Sequence, residues 1–436
     1  MYLIFCGYQP KMFRQLLERE QRLILILDDK LHTLIENMRA HHARINEPFD
    51  DLLDKVKYYS IRSYDSLEEL HAVCVDIKVN NYAVCGVGLL DEMRQYCAGF
   101  IASQFDCHRF LPRNPEICRD KRAMKHALKK AGVRCANFVS VADTQDPYAR
   151  QQASGLAFPV IVKPASGVGS TSTFRADNAG ELHKRFDQHR AGGRIISDHL
   201  IVEEFVRGEE YHCDVMWLKG QAVAFSVSKY HSPVLEIRNN DNMYLGGCSL
   251  PESKHQALYA KARALAEVVV EVAGIATGLI HMEFFVEEDT GELVFSEVGA
   301  RLGGGAIKDV MLQRFGMPLL DKYISILSGD QDPAFDHEVA QDAYLGYVQF
   351  ESEEEGTIVK MTPAQEIEAI DGVLECIVIR PVGSVLPRDN ALCLKIVFKA
   401  DDLPAFEAVM ERVVALVKIE TVPATPASSP EGELTG

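Results

Sequence analysis

The chain has 436 residues, 47% hydrophobic and 25% charged, an ordinary soluble globular composition with length for about two to four domains. A net charge of −17 without a long basic run argues against nucleic acid or an anionic membrane as partner, while local Arg and Lys can still hold anionic substrates. Eleven scattered cysteines without a CxxC pair, no basic leader and no apolar run of the ~20 residues a membrane helix needs lead to the expectation of a cytoplasmic protein with free thiols.

Residues 2–6 and 23–27 are short apolar runs that read as buried parallel strands, with a helix-like segment at 13–20 between them. Residues 72–75 and 82–84 continue the strand pattern, so 1–110 is predicted to be an α/β domain. Cys85-Gly86-Val87-Gly88 offers part of a dinucleotide fingerprint, but the third glycine is missing and Asp91 stands near its place. A tight strand-to-helix turn is the better reading there. Residues 119–132 form a helix closed by Gly132, with most of its lysines on a solvated face and Lys121 in the first turn after Asp120.

The stretch 158–170 is an apolar strand with Lys163 near its end, followed by Ser166, Gly167, Gly169, Ser170, Thr171 and Ser172. Small residues let backbone N–H groups approach phosphate oxygens, and hydroxyls add donors. It is not a P-loop, because the lysine precedes the loop; a loop without a ligand is the plain alternative. Residues 201–206 read as a strand or hinge carrying Glu203, Glu204, Phe205 and Val206, after which Gly208 turns the chain and Glu210 leads into an alternating strand, 211–217. A hinge backbone can read an adenine edge and a carboxylate beyond it can hold ribose hydroxyls, whereas glutamates on a solvated strand edge would do neither. A strand at 222–229 ends at Lys229, residues 231–250 form an irregular surface loop, and 252–274 is a long amphipathic helix ending at Gly274.

Residues 279–308 carry the densest chemistry. Glu283 lies on one strand candidate, Asp289-Thr290-Gly291 is a turn, Glu297 lies on a second strand, and Arg301 with Gly303, Gly304 and Gly305 follows. A hairpin brings cross-strand Cβ atoms to about 5 Å. The two glutamates can then share one or two hard cations, and the Arg301 fork suits a phosphate or carboxylate. Two surface glutamates on an ordinary hairpin are the plain alternative. Beyond, 310–329 reads as mostly helical, 330–342 as a polar linker, 343–350, 376–380 and 393–398 as strands, 404–417 as a helix, and the tail from about 423 as disordered.

The order of these pieces resembles the ATP-grasp superfamily of carboxylate–amine ligases over roughly residues 1–420: Lys121, Lys163 with its Gly/Ser loop, the EEFV hinge, Glu210, Glu283, then Glu297 with Arg301. Within the superfamily the look is that of the L-amino-acid ligase and carnosine-synthase-like branch, with a GARLGGG ending more distantly similar to biotin carboxylase relatives. The resemblance implies an α/β and α+β multidomain ATP-grasp fold. Its parts would be a Rossmann-like domain (1–110), a small lid subdomain (111–200), a large subdomain with the metal site (201–330), a small α+β lobe (331–422) and a tail (423–436).

The resemblance further implies that Lys121 and Lys163 contact ATP phosphates under a loop containing Ser166, Gly167, Gly169 and Ser170. Glu203, Glu204, Phe205 and Val206 would line the adenine hinge, Glu210 would hold the ribose, and Lys229 would reach the nucleotide. Glu283 and Glu297 would hold Mg2+ or Mn2+, as one or two ions. Arg301, with Lys163 and the Gly304 backbone, would serve phosphoryl and acyl transfer. One departure stands out: many relatives have Glu-x-Asn at the last strand, and here Gly299 replaces the Asn. The implied activity joins a carboxylate, from an amino acid or small acid, to an amine, with a homodimer the form common among relatives. Transfer to a carrier-protein acceptor and a non-ligating ATP-binding regulator are the rivals.

Overall fold

Parallel strands need long crossovers, and helices supply them at the N-terminus. In the computed structural model, which describes residues 1–44, 49, 51–89, 91–167, 172–191, 199–231, 244–316, 318–330, 342–352, 355–386 and 391–423, the first sheet is parallel throughout. Its order is Lys57–Ile61, Arg22–Asp28, Tyr2–Cys6, Val84–Gly88. Ile4, Ile24, Ile26 and Val87 pack with Cys74, Ile77 and Ile101 from flanking helices into one apolar core.

Residues 72–75, expected as a strand, lie inside the helix Leu67–Val79. The Ser66 side chain accepts from the Glu69 N–H, and Leu70, Val73, Cys74 and Ile77 recur at helical spacing on the buried side. A four-residue window is too short to separate that period from a strand's. Gly86 and Gly88 serve packing: a Cβ at 88 would come within 2.1 Å of the Phe5 ring, and one at 86 within 2.9 Å of Phe110.

The chain divides into two units, 1–229 with 252–304 and 311–341, and 230–251 with 305–310 and 342–436. The first unit holds two further sheets. A small antiparallel one runs Phe138–Val141, Leu200–Glu204, Val160–Pro164, Phe174–Ala176, around Val160, Val162, Val202, Leu182 and Phe186. The strand Leu200–Glu204 thus belongs with residues 111–200, and this sheet ends where residues 205–207 begin. The helix Lys121–Lys130 starts at Asp120, whose carboxylate accepts from the Arg122 and Ala123 N–H groups. The larger antiparallel sheet has neighbouring strands Leu293–Gly299, Thr277–Glu287, Gly208–Leu218 and Gln221–Tyr230. The helix Gln256–Ala273 ends at Gly274, whose φ of +68° is the left-handed turn that glycine permits.

In the second unit, Tyr244–Ser249, Tyr344–Ser352, Ala391–Ala400 and Val373–Val378 pair antiparallel in that order. The helix Leu403–Leu416 packs on them, with the Phe406 ring stacked on Phe398 at 5.1 Å. The strands Val385–Leu386, Gly356–Met361 and Ile419–Val422 form a second sheet. No helix among the described residues is long and apolar enough to cross a membrane.

Candidate active site

Strand register assembles the centre of the site. Glu283 lies opposite His212 on one side and Glu297 on the other, and one step along, His281 lies opposite Asp214 and Gly299. Residues directly opposite share a face, and alternate residues along a strand return to it. His212, Asp214, His281, Glu283, Glu297 and Gly299 are therefore two rows on one side of the larger sheet. Glu210, opposite Phe285, belongs to the same side.

Cations converge on these carboxylates. Lys121 Nζ lies 3.1 Å from Glu297 Oε2 and donates to the Gly167 carbonyl at 2.8 Å. Lys163, on the small sheet, is 2.5 Å from Glu203 Oε1, and Lys125, one helical turn after Lys121, is 3.0 Å from Glu203 Oε2. Burial works to raise the Glu203 carboxyl, but Lys125 and Lys163 override it and bring it down to about 2. Burial likewise opposes ionisation of Glu297, and Lys121, Lys163 and Arg301 bring it to about 2. Lys163 is pulled down by burial and more strongly up by Glu203, Glu297 and Glu283, so it stays charged. Lys163 is therefore charged, and Glu203 and Glu297 are ionised, at neutral pH.

Arg301 is steered from the N-terminal domain. Its Nε donates to Glu92 Oε2 at 2.9 Å and its Nη1 to the Leu302 carbonyl at 2.8 Å. Arg119, almost fully buried, lies 3.6 Å from the other Glu92 oxygen. Gly299 leaves room beside this pair. A Cβ there would stand 3.3 Å from Arg301 Cγ, 3.4 Å from its Nε and 3.5 Å from Glu92 Oε2. The space that a side chain at position 299 would take is bordered by an arginine–carboxylate pair.

The remaining expected residues fall as follows. Ser166 lies beside the Tyr96 hydroxyl. The Gly167 N–H donates to Pro164 O at 3.2 Å. Gly169 and Ser170 lie outside the described residues. Glu204 turns away to the small sheet's flank, accepting from Asn137 Nδ2 at 2.8 Å and from the Ala157 N–H at 3.0 Å. The Glu204 and Phe205 N–H groups donate to Asn137 O and Pro159 O, whereas the Val206 N–H meets no backbone acceptor among the described residues. Gly304 also donates to no described backbone group, and a Cβ there would meet nothing within 4 Å.

Lys229 is not brought to the group. It lies opposite Tyr211, on the other side of the sheet from His212 and Glu283, and its ammonium donates to Glu209. The stacked rings of Tyr211 and Phe284, 5.8 Å apart, occupy that same far side.

Sequence reasoning missed Lys125, Glu92, Arg119 and the His212–Asp214–His281 group. His212 Nδ1 is 2.7 Å from Asp214 Oδ2, His281 Nδ1 is 2.9 Å from Asp214 Oδ1, and His281 Nε2 is 3.3 Å from Glu283 Oε1. Burial works to lower His281, and Asp214 raises it to about 9. Burial raises the Asp214 carboxyl, and His281 and His212 drive it well below the ordinary range. The alternation of His212 with Asp214 and of His281 with Glu283 was visible as a two-residue period, but the register joining the two strands was not.

The donor set fits a hard divalent cation. Two carboxylates face each other across a strand pair, partly exposed, with oxygen as the ligand atom. Mg2+ or Mn2+ suits such donors, and Glu283 and Glu297 are the side chains that would hold it.

Residues 156–309 match the ATP-grasp domain family. The chain is 29% identical over 275 residues to an L-arginine-specific L-amino acid ligase of Bacillus subtilis, covering 62% of this chain and 64% of that relative. It is 27% identical over 212 residues to a D-alanine–D-alanine ligase of Synechococcus sp. (strain RCC307), covering 46% and 59%. These matches span less than two thirds of either relative's length. Its fold superposes on an L-amino acid ligase from Bacillus licheniformis with a TM-score of 0.67 at 18% identity, over 97% of this chain and 98% of that one.

Proposed function

We propose that this chain, which belongs to the ATP-grasp superfamily, is a ligase that uses ATP to join the carboxylate of an amino acid or small acid to an amine, releasing ADP and phosphate. The observation that carries the proposal is the pairing of Glu283 with Glu297, with Lys121 on Glu297 and with both carboxylates among the charges that raise Lys163. A protein that only binds nucleotide has no need of Arg301 held beside that pair.

A carboxylate is a poor acyl donor because hydroxide leaves badly. Attack of its oxygen on the γ-phosphorus of ATP breaks the β–γ bridge, forms a C–O–P acyl phosphate and releases ADP. Lys163, Lys121 and Arg301 balance the charge on the transferred group, and Mg2+ held by Glu283 and Glu297 supplies further neutralisation when bound. An amine then attacks the acyl carbon, the C–O bond to phosphate breaks, and the nitrogen loses a proton to give the amide. The Gly304 N–H, which donates to no described backbone group, would steady the oxyanion formed on the way. The Val206 N–H and the Glu210 carboxylate serve the adenine edge and the ribose. A relative named for L-arginine and L-amino acids, and one for D-alanine, support an amino acid as at least one substrate.

The test is phosphate release from Mg-ATP across a matrix of amino acids and small acids, with mass spectrometry of each mixture. Release that needs two substrates, with a product one water lighter than their sum, is expected. ATP hydrolysis that no pair of substrates stimulates would refute the ligase.

A further inference from the structure

The proposed reaction uses one row of the sheet face, Glu283 and Glu297, and leaves the next row without a task. That row is costly. Asp214 is wholly buried and His281 nearly so, and His212, from the Glu283 row, is wholly buried against Asp214. Groups that ionise are expensive to bury, and apolar side chains on the same strands, such as Val215 and Met282, show what the sheet otherwise takes inside. Their ligand atoms lie within 4.8 Å of one another, the only such three-residue group among the described residues. Yet the ring Nδ1 atoms of both histidines sit at hydrogen-bond distance from separate oxygens of Asp214. A carboxylate only accepts, so each Nδ1–H donates to it, which makes this a bonded chain and not a cage for a cation.

The chain has a direction. His212 and His281 fix the two oxygens of Asp214, Asp214 fixes the plane of the His281 ring, and His281 Nε2 reaches Glu283 Oε1 at 3.3 Å. The opposite carboxylate has its own brace, since Lys121 lies 3.1 Å from Glu297 Oε2. The strand position beside His281 on the far side is Gly299, which has no side chain to brace anything. We propose that His281, locked by Asp214, is the positioning residue that holds the Glu283 carboxylate in the orientation required to bind the divalent cation. This rests on the reading of Glu283 and Glu297 as the metal carboxylates. Groups that orient a ligand from behind commonly matter by about 10–100-fold in metal affinity.

Two substitutions separate positioning from mere support. Asn at 281 can place its amide nitrogen near the Nδ1 position, keeping the bond to Asp214 and losing that to Glu283. Gln at 281 can place its amide near the Nε2 position and keep the Glu283 bond. Mn2+ binding to the full-length chain with ADP present, followed by electron paramagnetic resonance, reads the effect without turnover. His281→Asn is expected to weaken Mn2+ binding by about 10-fold or more, with His281→Gln nearer the parent. In turnover, the Mg2+ concentration at half-maximal rate rises in His281→Asn, while the rate at saturating Mg2+ falls far less. Asp214→Asn, which keeps an oxygen acceptor for His281, shifts Mn2+ binding in the same direction and serves if His281→Asn does not fold. Mn2+ binding within twofold of the parent in a folded His281→Asn or Asp214→Asn chain overturns the inference. Glu297→Gln is the control: unchanged Mn2+ binding there overturns the metal assignment itself, and this inference with it.

Discussion

Glu203→Gln keeps the shape of a buried side chain and removes the charge that two ammonium groups share. Lys163 and Lys125 lie 2.5 and 3.0 Å from the two carboxylate oxygens. Burial favours the protonated acid, and the two lysines overcome it, taking the carboxyl from 4.5 to about 2. At about 1.36 kcal/mol for each tenfold change in proton affinity, that displacement corresponds to about 3 kcal/mol of native stability. The folded-state pKa is the lower one, so the contribution is fully present above pH 4.5 and is lost as the pH falls toward 2. The glutamine variant lacks it at every pH, and removing one partner of such a buried pair costs about 3–5 kcal/mol in all. Urea unfolding followed by circular dichroism at pH 7, 5.5 and 4 measures the difference. The variant is expected to unfold at clearly lower urea at pH 7, with the gap to the parent unchanged at pH 5.5 and starting to narrow at pH 4. Equal midpoints at pH 7, or a gap that widens on acidification, would refute the reasoning.

Glu297→Ala is expected to remove metal-dependent turnover by about 100-fold or more while the far-ultraviolet circular dichroism persists; full activity with unchanged Mg2+ dependence would sink the metal assignment. Lys163→Ala should raise the KM for ATP by about 10-fold or more, read from an ATP saturation curve at fixed Mg2+. Gly299→Asn should not restore a further ligand but press on Arg301 and Glu92, lowering kcat by about 10-fold; an activity equal to the parent would show that the space was not needed. Lys229→Ala should leave ATP binding within about twofold, because it removes only a surface pair with Glu209 on the far side of the sheet.

What could be read from the sequence was what local periodicity and local chemistry encode. The strand Tyr2–Cys6 and the helix Leu403–Leu416 came out within a residue or so, because their apolar patterns and bounding residues are local signals. The hairpin carrying Glu283 and Glu297 was legible because the turn between its strands lies only a few residues from each, but a register shift between Glu283 and Phe284 is what sets Glu283 opposite Glu297, and that shift was not legible. The helix Leu67–Val79 was misread at 72–75, although Ser66 and Glu69 stood in capping positions just before. Non-local partners were hidden. Lys125 looked like one more solvated lysine until the small sheet brought Glu203 against it, and Glu92 reaches Arg301 across 209 residues of chain. Lys229 shows the reverse error: its position at a strand end was right, but only the register with Tyr211 reveals the side on which it points.

The most direct test of the central claim follows oxygen. The acid substrate identified by the matrix assay is labelled with 18O in its carboxylate, turned over with ATP and an amine, and the released phosphate is analysed by mass spectrometry. An acyl phosphate requires one labelled oxygen to leave with phosphate as the amide forms, so one 18O per phosphate is the predicted result. Amide formation with unlabelled phosphate would contradict the account, because the carboxylate would then have been activated by another route.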